Sequence, residues 1–273
     1  MKKIILLVLL TVNLTAYTQR KPKIKGNRTV IEVKENLPFF NAIVLEDDLE
    51  VVLKTGSNEG YELEVDENLV DILRFEVENE TLTISSFYNV TSKKRLHITV
   101  FFNQLNQITV NNGKILSKDT FATDALRVDI SGGAKAELSV NAEVLDIVMV
   151  GNGSGDFKME GDALNIDLKD KAKLRLYAVA ESINVQLLDK SEAQLEGVST
   201  NLQIKLMEYA VLKASKLEVD SMVVTLNSNT SAEVMVTNSI ELYASGSSKT
   251  YVYGEGKINL QEFLDTSELH RRK

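Results

Sequence analysis

Three acidic residues, Asp170, Asp189 and Glu208, follow one another at intervals of nineteen residues. If the intervening segments stack in register, their side chains form one column with a spacing of about 4.8 Å. Such a column could bind a hard cation such as Ca²⁺, or serve a polysaccharide lyase or hydrolase. It could also be a solvated ladder whose repulsion is offset by neighbouring lysines. We favour the ladder, and we keep Asp170, Asp189, Glu208 and the adjacent Tyr209 as candidate binding residues.

Side chains for other kinds of chemistry are scarce. The chain has two histidines, His97 and His270, and no cysteine. Ser-His-Asp and Cys-His nucleophiles and a zinc site therefore lack the residues they need. Alternation with Leu96 and Ile98 predicts that His97 faces solvent on a strand. We predict a non-catalytic protein with no catalytic residue, no metal site and no cofactor.

Tyrosines offer one further possibility for binding. An exposed aromatic strip could contact sugars or protein partners. Its members would be Tyr177, Tyr209, Tyr243, Tyr251 and Tyr253. Because their phases differ between repeats, isolated surface tyrosines are the alternative to a strip.

These residues belong to a short pattern that returns every eighteen to twenty residues. Each copy has an alternating apolar strand, a small or polar corner and a second alternating strand, as in VDISGGAKAEL at 128–138. A fixed period near twenty is typical of stacked coils. The residue before each corner serves as a marker, and the series is Val110, Ile130, Val150, Leu168, Leu187, Leu206, Leu226, Ala244 and Leu264.

The series predicts an all-β fold, a parallel β-helix of about eight or nine coils over residues 105–260. Helix is disfavoured, since the copies alternate with period two and carry Gly, Ser, Asn and Asp where a helix would break. Parallel crossovers are nearly always right-handed, so we expect a right-handed β-helix. Residues 261–273 should form a C-terminal coil and tail.

Aligning the copies predicts two columns of side chains at the corners. Two residues after the marker we expect a tight corner with positive φ, at Asn112, Gly132, Asn152, Asp170, Asp189, Glu208, Ser228, Gly246 and Thr266. Four residues after it, small side chains should point into a narrow lumen, at Ala134, Ser154, Ala172, Ser191, Ala210, Thr230 and Ser248. In this alignment the third copy, at 150–157, carries an extra residue, which predicts a bulge.

Upstream, residues 29–104 form an irregular β region. Apolar residues two apart predict several strands, partly antiparallel. Phe75 to Ile84 is typical of a hairpin that turns near Asn79, and 69–73 has a short helical pattern. Residues 19–28 are polar and basic and are expected to be a loose leader.

Composition and the first residues indicate the compartment. The net charge of -8 argues against a nucleic-acid partner, which needs a basic stripe. Residues 1–18 combine two lysines, an apolar core and small residues near Thr18, the layout of a secretory signal peptide. No later apolar segment is long enough to span a bilayer. We expect export to the periplasm, cell surface or medium, without membrane insertion after cleavage.

The corner motifs resemble a known family. Ser131-Gly132-Gly133-Ala134, Gly153-Ser154-Gly155-Asp156 and Ser245-Gly246-Ser247-Ser248, with an entry segment from Phe39, are similar to the putative autotransporter adhesin, head GIN domain family of secreted Bacteroidota proteins. The resemblance covers 39–256 and implies a β-helical fold and an envelope address. It brings no binding residues, and the middle copies depart from it with Asp-Lys or Glu-Tyr corners.

Three hypotheses about function follow. The first is a non-catalytic envelope protein, an adhesin-like binding or scaffold module that presents a β-helix face to a glycan or protein. The alternative is a carbohydrate-active β-helix, a polysaccharide lyase or hydrolase, that uses the acidic column. The third is a structural spacer, which sequence does not separate from the first. The oligomeric state is left open.

Overall fold

The structure is a computed structural model that describes residues 21–272. It is 69% strand and 2% helix, and its strands form a β-solenoid of about nine turns. The predicted all-β fold of stacked parallel coils is therefore confirmed. The right-handed sense of the coil stays a prediction, and the signal peptide predicted at 1–18 lies outside the described residues.

Within residues 21–272 the structure has twenty-one strands. They are β1 Lys23–Lys25, β2 Val30–Asn36, β3 Ala42–Leu45, β4 Glu50–Thr55, β5 Gly60–Asp66, β6 Leu73–Glu78, β7 Thr81–Ser86, β8 Asn89–Ser92, β9 Leu96–Phe102, β10 Gln107–Val110, β11 Lys114–Ser117, β12 Phe121–Ile130, β13 Lys135–Met149, β14 Ser154–Leu168, β15 Lys173–Leu187, β16 Glu192–Leu206, β17 Val211–Leu226, β18 Ser231–Ala244, β19 Lys249–Tyr253, β20 Lys257–Phe263 and β21 Glu268–Arg271.

Each central coil is one long, bent strand and one short turn. Strands β13 to β17 each pair in parallel with the next, and each supplies residues on both sides of a bend. Four residues separate each of these strands from its successor, as at 150–153 and 169–172. We call these four residues the corner turn. The half of each strand that leads into a corner turn contributes to the pre-corner face, and the half that follows a corner turn contributes to the post-corner face.

The core is the aliphatic lumen of the solenoid. Alternate residues of every strand point inward, and one cluster of buried side chains extends from Phe40 to Val252. Its pre-corner column stacks one aliphatic side chain per coil, all at most 2% exposed: Ile130, Met149, Leu168, Leu187, Leu206, Leu226 and Ala244. Burying such a side chain contributes roughly 1.5–3 kcal/mol, so each coil is held mainly by the coils next to it.

Corner turns adopt the left-handed backbone conformation that the sequence predicted. The residues with positive φ are Gly113, Gly132, Gly151, Asp170, Asp189, Glu208, Ser228, Gly246 and Asp265. The prediction is confirmed at six corners and wrong by one residue at Asn112, Asn152 and Thr266. Asp and Gly tolerate this conformation better than other residues, which explains why they supply most of the column.

Two markers were misplaced by one residue. Met149 pairs with Ile130 and Leu168, and Phe263 pairs with Ala244. Val150 and Leu264 are instead the first residues of their corner turns. With Met149 as marker the third copy has the usual length, and the ladder from β13 to β14 has no register shift. The predicted bulge was therefore wrong, and Gly153, not Ser154, occupies the small lumen position there.

The N-terminal region continues the stack and closes its end. Strands β3 and β4 pair in parallel with β10 and β11, so the ladder passes through the predicted boundary near residue 104. Below them, β7 pairs with β3 and β9 with β4. Antiparallel pairs β2–β5, β5–β9 and β6–β7 complete the cap. The hairpin predicted at 75–84 is confirmed, and a 3-10 helix at Glu67–Ile72 replaces the short helical pattern.

The expected loose leader is attached to the cap. Strand β1 pairs with β8, and Lys21 donates to the Asp47 carboxylate. The buried Asp66 carboxylate accepts hydrogen bonds from the backbone N–H groups of Arg28, Lys94 and Arg95, at 3.2, 2.9 and 2.9 Å. These bonds connect three separate segments. The expectation of a loose segment was therefore wrong for 21–28.

The C-terminal residues form a complete last coil. Strand β20 pairs with β18, and β21 pairs with β19. The His270 ring in β21 stacks on Tyr251 with centroids 5.0 Å apart. Residues 268–271 are therefore strand and not tail. Within 21–272 no helix has the length and apolar character of a membrane span.

Truncation of a lumen residue should destabilise the whole stack. We expect Leu187→Ala to lower the free energy of unfolding by about 2–5 kcal/mol, because it leaves a cavity between two coils. Gln186→Ala on the outer surface of the same strand should change it by less than about 1 kcal/mol. Urea denaturation monitored by circular dichroism measures both variants. Equal effects would contradict the lumen assignment.

The Asp66 junction should give stability a defined pH dependence. The N–H of Lys94, then those of Arg95 and Arg28, lower the pKa of Asp66, although burial opposes them. A lowered folded-state pKa means that the carboxylate stabilises the fold above its unfolded pKa of about 3.9, and that this contribution is lost as pH falls through the folded value.

Asp66→Asn should therefore unfold more easily than wild type at pH 7, and the difference should shrink below about pH 4. Thermal unfolding of both proteins across pH 3–8 measures this. A difference that stayed constant across this range would exclude an ionised Asp66 as the stabilising group.

Candidate functional site

The three predicted acidic residues do lie in one column. Asp170, Asp189 and Glu208 occupy the second position of successive corner turns, which are joined by backbone bonds such as Lys190 N–H to the Asp170 carbonyl at 2.8 Å. All three side chains are exposed. The predicted ladder is thus present, and the structure shows how part of it is used.

Two of these carboxylates accept backbone hydrogen bonds. In a corner turn the first and third N–H groups donate to the preceding coil, as Lys169 and Lys171 do to Met149 and Gly151. The second N–H points towards the following coil. Asp170 Oδ2 accepts this bond from Gly151 at 3.0 Å, and Asp189 Oδ2 accepts it from Asp170 at 3.3 Å.

Asp265 repeats the arrangement for Gly246 at 2.9 Å. Glu208 makes no such side-chain bond among the described residues. The column is therefore partly a backbone cap, which favours a structural role for Asp170 and Asp189. Tyr209 is 53% exposed beside Glu208, and the Lys190 ammonium lies 5.9 Å from its ring centroid. No group of three or more His, Cys, Asp or Glu side chains within 21–272 is arranged to hold a metal ion.

The hypothesis of a continuous exposed tyrosine strip was wrong. Tyr209 lies in a corner turn, and Tyr243 lies on the pre-corner face. Tyr177, Tyr251 and Tyr253 share the post-corner face, but the coils of β16, β17 and β18 separate the first from the other two. His97 is exposed on β9, as predicted.

The post-corner face is charged and laced with ion pairs. Arg175 pairs with Asp156 at 3.0 Å, and Lys114 pairs with Glu137 at 2.8 Å. Glu192 forms its ion pair with Lys213 and not with Lys173, its register partner in the neighbouring coil. Exposed pairs of this kind each contribute only a few tenths of a kcal/mol, so they add little to stability and this face remains a solvated surface.

The pre-corner face has a different chemistry. Its outward side chains include many amides and hydroxyls, and the charged residues Arg127, Asp167, Lys205 and Glu241 line the same surface. We call this surface the amide face and define it by Asp146, Ser182, Asn165, Asn184, Gln186, Asn201, Gln203, Ser221 and Ser239. Two shallow grooves of about 480 and 360 Å³ lie along it and share Asn184 and Gln203. Together they form a continuous surface across successive coils.

A hydrogen-bonded ladder orders the centre of the amide face. The Asn184 amide donates to Asn165 Oδ1 at 2.9 Å, and the Asn165 amide donates to Asp146 Oδ1 at 2.7 Å. At the end of this column the Arg127 guanidinium donates to both carboxylate oxygens of Asp129, at 2.8 and 3.0 Å, which raises the pKa of Arg127. The positive charge of Arg127 is therefore paired with the Asp129 carboxylate within the protein.

Sequence reasoning missed this surface. The signal was a polar residue three positions before most markers, as in Asp146, Asn165, Asn184 and Gln203. Amides both donate and accept hydrogen bonds, so a row of them can match the hydroxyl groups of a sugar chain. Because the row sits on a rigid sheet, little side-chain entropy should be lost on binding.

Comparison with known families agrees with the fold and the repeats. The sequence matches the family "Putative auto-transporter adhesin, head GIN domain" over residues 39–168 and again over residues 152–256. The chain belongs to this family. The resemblance that the corner motifs indicated between 39 and 256 is thereby confirmed.

Solved structures similar to this head GIN domain chain share its fold. A putative adhesin from Parabacteroides merdae is 16% identical, with a TM-score of 0.68 over 92% of this chain and 100% of that one. A putative adhesin from Parabacteroides distasonis is 16% identical, with a TM-score of 0.64 over 91% of this chain and 99% of that one. A putative lipid binding protein from the same species is 16% identical, with a TM-score of 0.63 over 91% of this chain and 96% of that one. No curated protein matches the sequence.

Replacing corner residues should separate conformational from hydrogen-bonding roles. Glu208 has φ 65 and makes no side-chain cap among the described residues, so Glu208→Gly should leave stability unchanged or raise it by up to about 1 kcal/mol. Asp189→Gly relieves the same strain but removes the bond from Asp170, so it should be the less stable of the two by about 1 kcal/mol. Chemical denaturation compares them, and a less stable Glu208→Gly would assign Glu208 a cap as well.

Proposed function

We propose that this head GIN domain protein is a non-catalytic, adhesin-like binding module of the cell envelope whose amide face binds a glycan chain. The single observation that carries the proposal is the amide ladder from Asn184 through Asn165 to Asp146, at the centre of two adjoining grooves. Membership of an adhesin family and the structural neighbours called adhesins support the same class of function.

The geometry favours an extended ligand. Successive coils repeat at about 4.8 Å, so a chain that lies along the solenoid axis meets similar donors and acceptors at regular intervals. Each contact is weak and exposed to water, and affinity then comes from several contacts made together. A shallow, open surface of this kind suits recognition better than it suits catalysis, which needs groups held around a reacting atom.

Export supports the same proposal. The sequence predicts a signal peptide at 1–18, and an adhesin acts outside the cytoplasm. We propose an address in the periplasm, at the cell surface or in the medium, where a rigid solenoid would meet envelope or environmental polysaccharides.

The carbohydrate-active alternative has less support. Asp170 and Asp189 accept hydrogen bonds from backbone N–H groups, and no groove described above lies at their corner turns. An enzyme would need these carboxylates to face a bound sugar.

Binding to a panel of neutral and acidic polysaccharides tests the proposal. Asn184→Leu combined with Gln203→Leu removes hydrogen-bonding groups from the amide face while keeping side-chain size, and should weaken glycan binding about tenfold or more. The matched control, Gln194→Leu combined with Lys173→Leu on the post-corner face, should bind like wild type. Affinity electrophoresis or an immobilised glycan array measures all three proteins.

Two results would contradict the proposal. One is equal binding by the amide-face variant and the control. The other is release of sugar fragments that the combined change Asp170→Asn, Asp189→Asn and Glu208→Gln abolishes, which would favour the carbohydrate-active enzyme.

A further inference from the structure

Three apolar side chains lie exposed in the middle of the charged post-corner face. Tyr177 is 50% exposed, Val179 is 39% exposed and Val198 is 52% exposed. Val179 and Val198 are register partners in adjacent coils, and Tyr177 lies two residues before Val179 on the same side of β15. We call these three residues the valine patch.

The fold itself does not require these valines. Inward positions beside them are filled by Ala178 and Ala180, at 0% and 7% exposure. In the neighbouring coils the position of the valines is taken by Glu160 on one side and Glu218 on the other. A polar side chain is therefore compatible with this column, and the valines are an exception within it.

Carboxylates surround the valine patch. Glu160 and Glu218 flank the two valines within the column. At the bend, two residues further along the chain, lies a second group of exposed acids, Asp162, Glu181 and Asp220. None of these five carboxylates forms an ion pair within the part of the chain that the structure describes.

Positive charge near the valine patch is limited. Lys158 is the register partner of Tyr177. On the other side of Tyr177, Glu196 is bonded to Lys216 at 3.2 Å, so these two charges are mutually satisfied. Among the described residues, the rim therefore has five carboxylates without an ion pair against one such lysine, and Asp220 alone of the five accepts side-chain hydrogen bonds, from Ser221 and Asn238.

We propose that the valine patch is a docking surface for a basic, apolar segment of another protein. Two or three apolar side chains of the partner would cover Val179, Val198 and the ring of Tyr177, and flanking Lys or Arg side chains would reach the carboxylate rim. Apolar centres with charged rims are typical of protein interfaces, and opposite charge across the rim speeds encounter and selects the partner.

The charge of the rim favours this occupant over others. A polyanionic ligand would be repelled by the five carboxylates, and a neutral glycan would leave them unused. The valine patch also lies across the bend from the amide face, so this proposal is independent of the glycan-binding function.

A labelled peptide of alternating lysine and valine is the probe, and fluorescence anisotropy is the measurement. We expect it to bind the wild-type chain more tightly than matched lysine–serine and glutamate–valine peptides do. Val179→Thr combined with Val198→Thr keeps the side-chain shape and should weaken binding about tenfold. Val150→Thr, at a valine that is 41% exposed in a corner turn, is the matched control and should have no effect.

A second pair of variants tests the rim. Glu160→Gln combined with Glu218→Gln should weaken binding and reduce its dependence on salt, because the screened attraction is removed. Glu137→Gln combined with Glu192→Gln, at carboxylates already paired with lysines, should retain the salt dependence. Circular dichroism and thermal unfolding verify that all variants are folded.

Several outcomes would overturn the proposal. They are no binding of the lysine–valine peptide, equal binding of the lysine–serine peptide, or equal binding by the valine variant. Sedimentation that showed self-association lost in Val179→Thr with Val198→Thr would identify a second copy as the occupant instead. Loss of glycan binding in that variant would assign the valine patch to the glycan.

Discussion

The structure depends on the in-register stacking of parallel coils. Backbone hydrogen bonds join each coil to its neighbours along β13 to β17, and the same register places one aliphatic side chain per coil in each lumen column. The two interactions require each other, since a slip of one residue would turn the lumen side chains outward. A coil alone could not bury its own apolar face. Stability is therefore a sum of contacts between neighbours, and the antiparallel cap supplies a closed end to that series.

In-register stacking also divides the residues of each coil into groups with different structural roles. Inward positions are fixed by packing, and corner turns are fixed by the left-handed residue and by the bonds that Asp170 and Asp189 accept. The outward positions of the two faces are free to vary. The chain uses this freedom differently on each face, with ion pairs and the valine patch on one and the amide face on the other. The amide face and the valine patch both lie in these outward positions.

Periodicity was enough to predict the solenoid, its lumen and most of its left-handed corners, because those features repeat in every coil. Errors arose where two apolar residues were adjacent, as at Met149–Val150 and Phe263–Leu264, since alternation alone does not decide which one faces inward. Ion pairs were missed where long side chains reach diagonally, as from Lys213 to Glu192. The amide face lay in the alignment three residues before the markers, but only coordinates show that Asn165 and Asn184 bond to each other. The prediction of a loose leader was wrong because the backbone hydrogen bonds that the Asp66 carboxylate accepts come from segments distant in sequence.

The second N–H of each corner turn gives the stack a polarity. That donor points towards the following coil, and where the following coil carries aspartate the bond is completed only after that coil is in place. In a partly wound chain, such an N–H in the last corner turn would lack its aspartate acceptor. In a stack wound from the N-terminal cap, each of these bonds forms when the coil that carries the aspartate is added. At these three corners, the side chain that completes one turn is therefore supplied by the next turn of the solenoid.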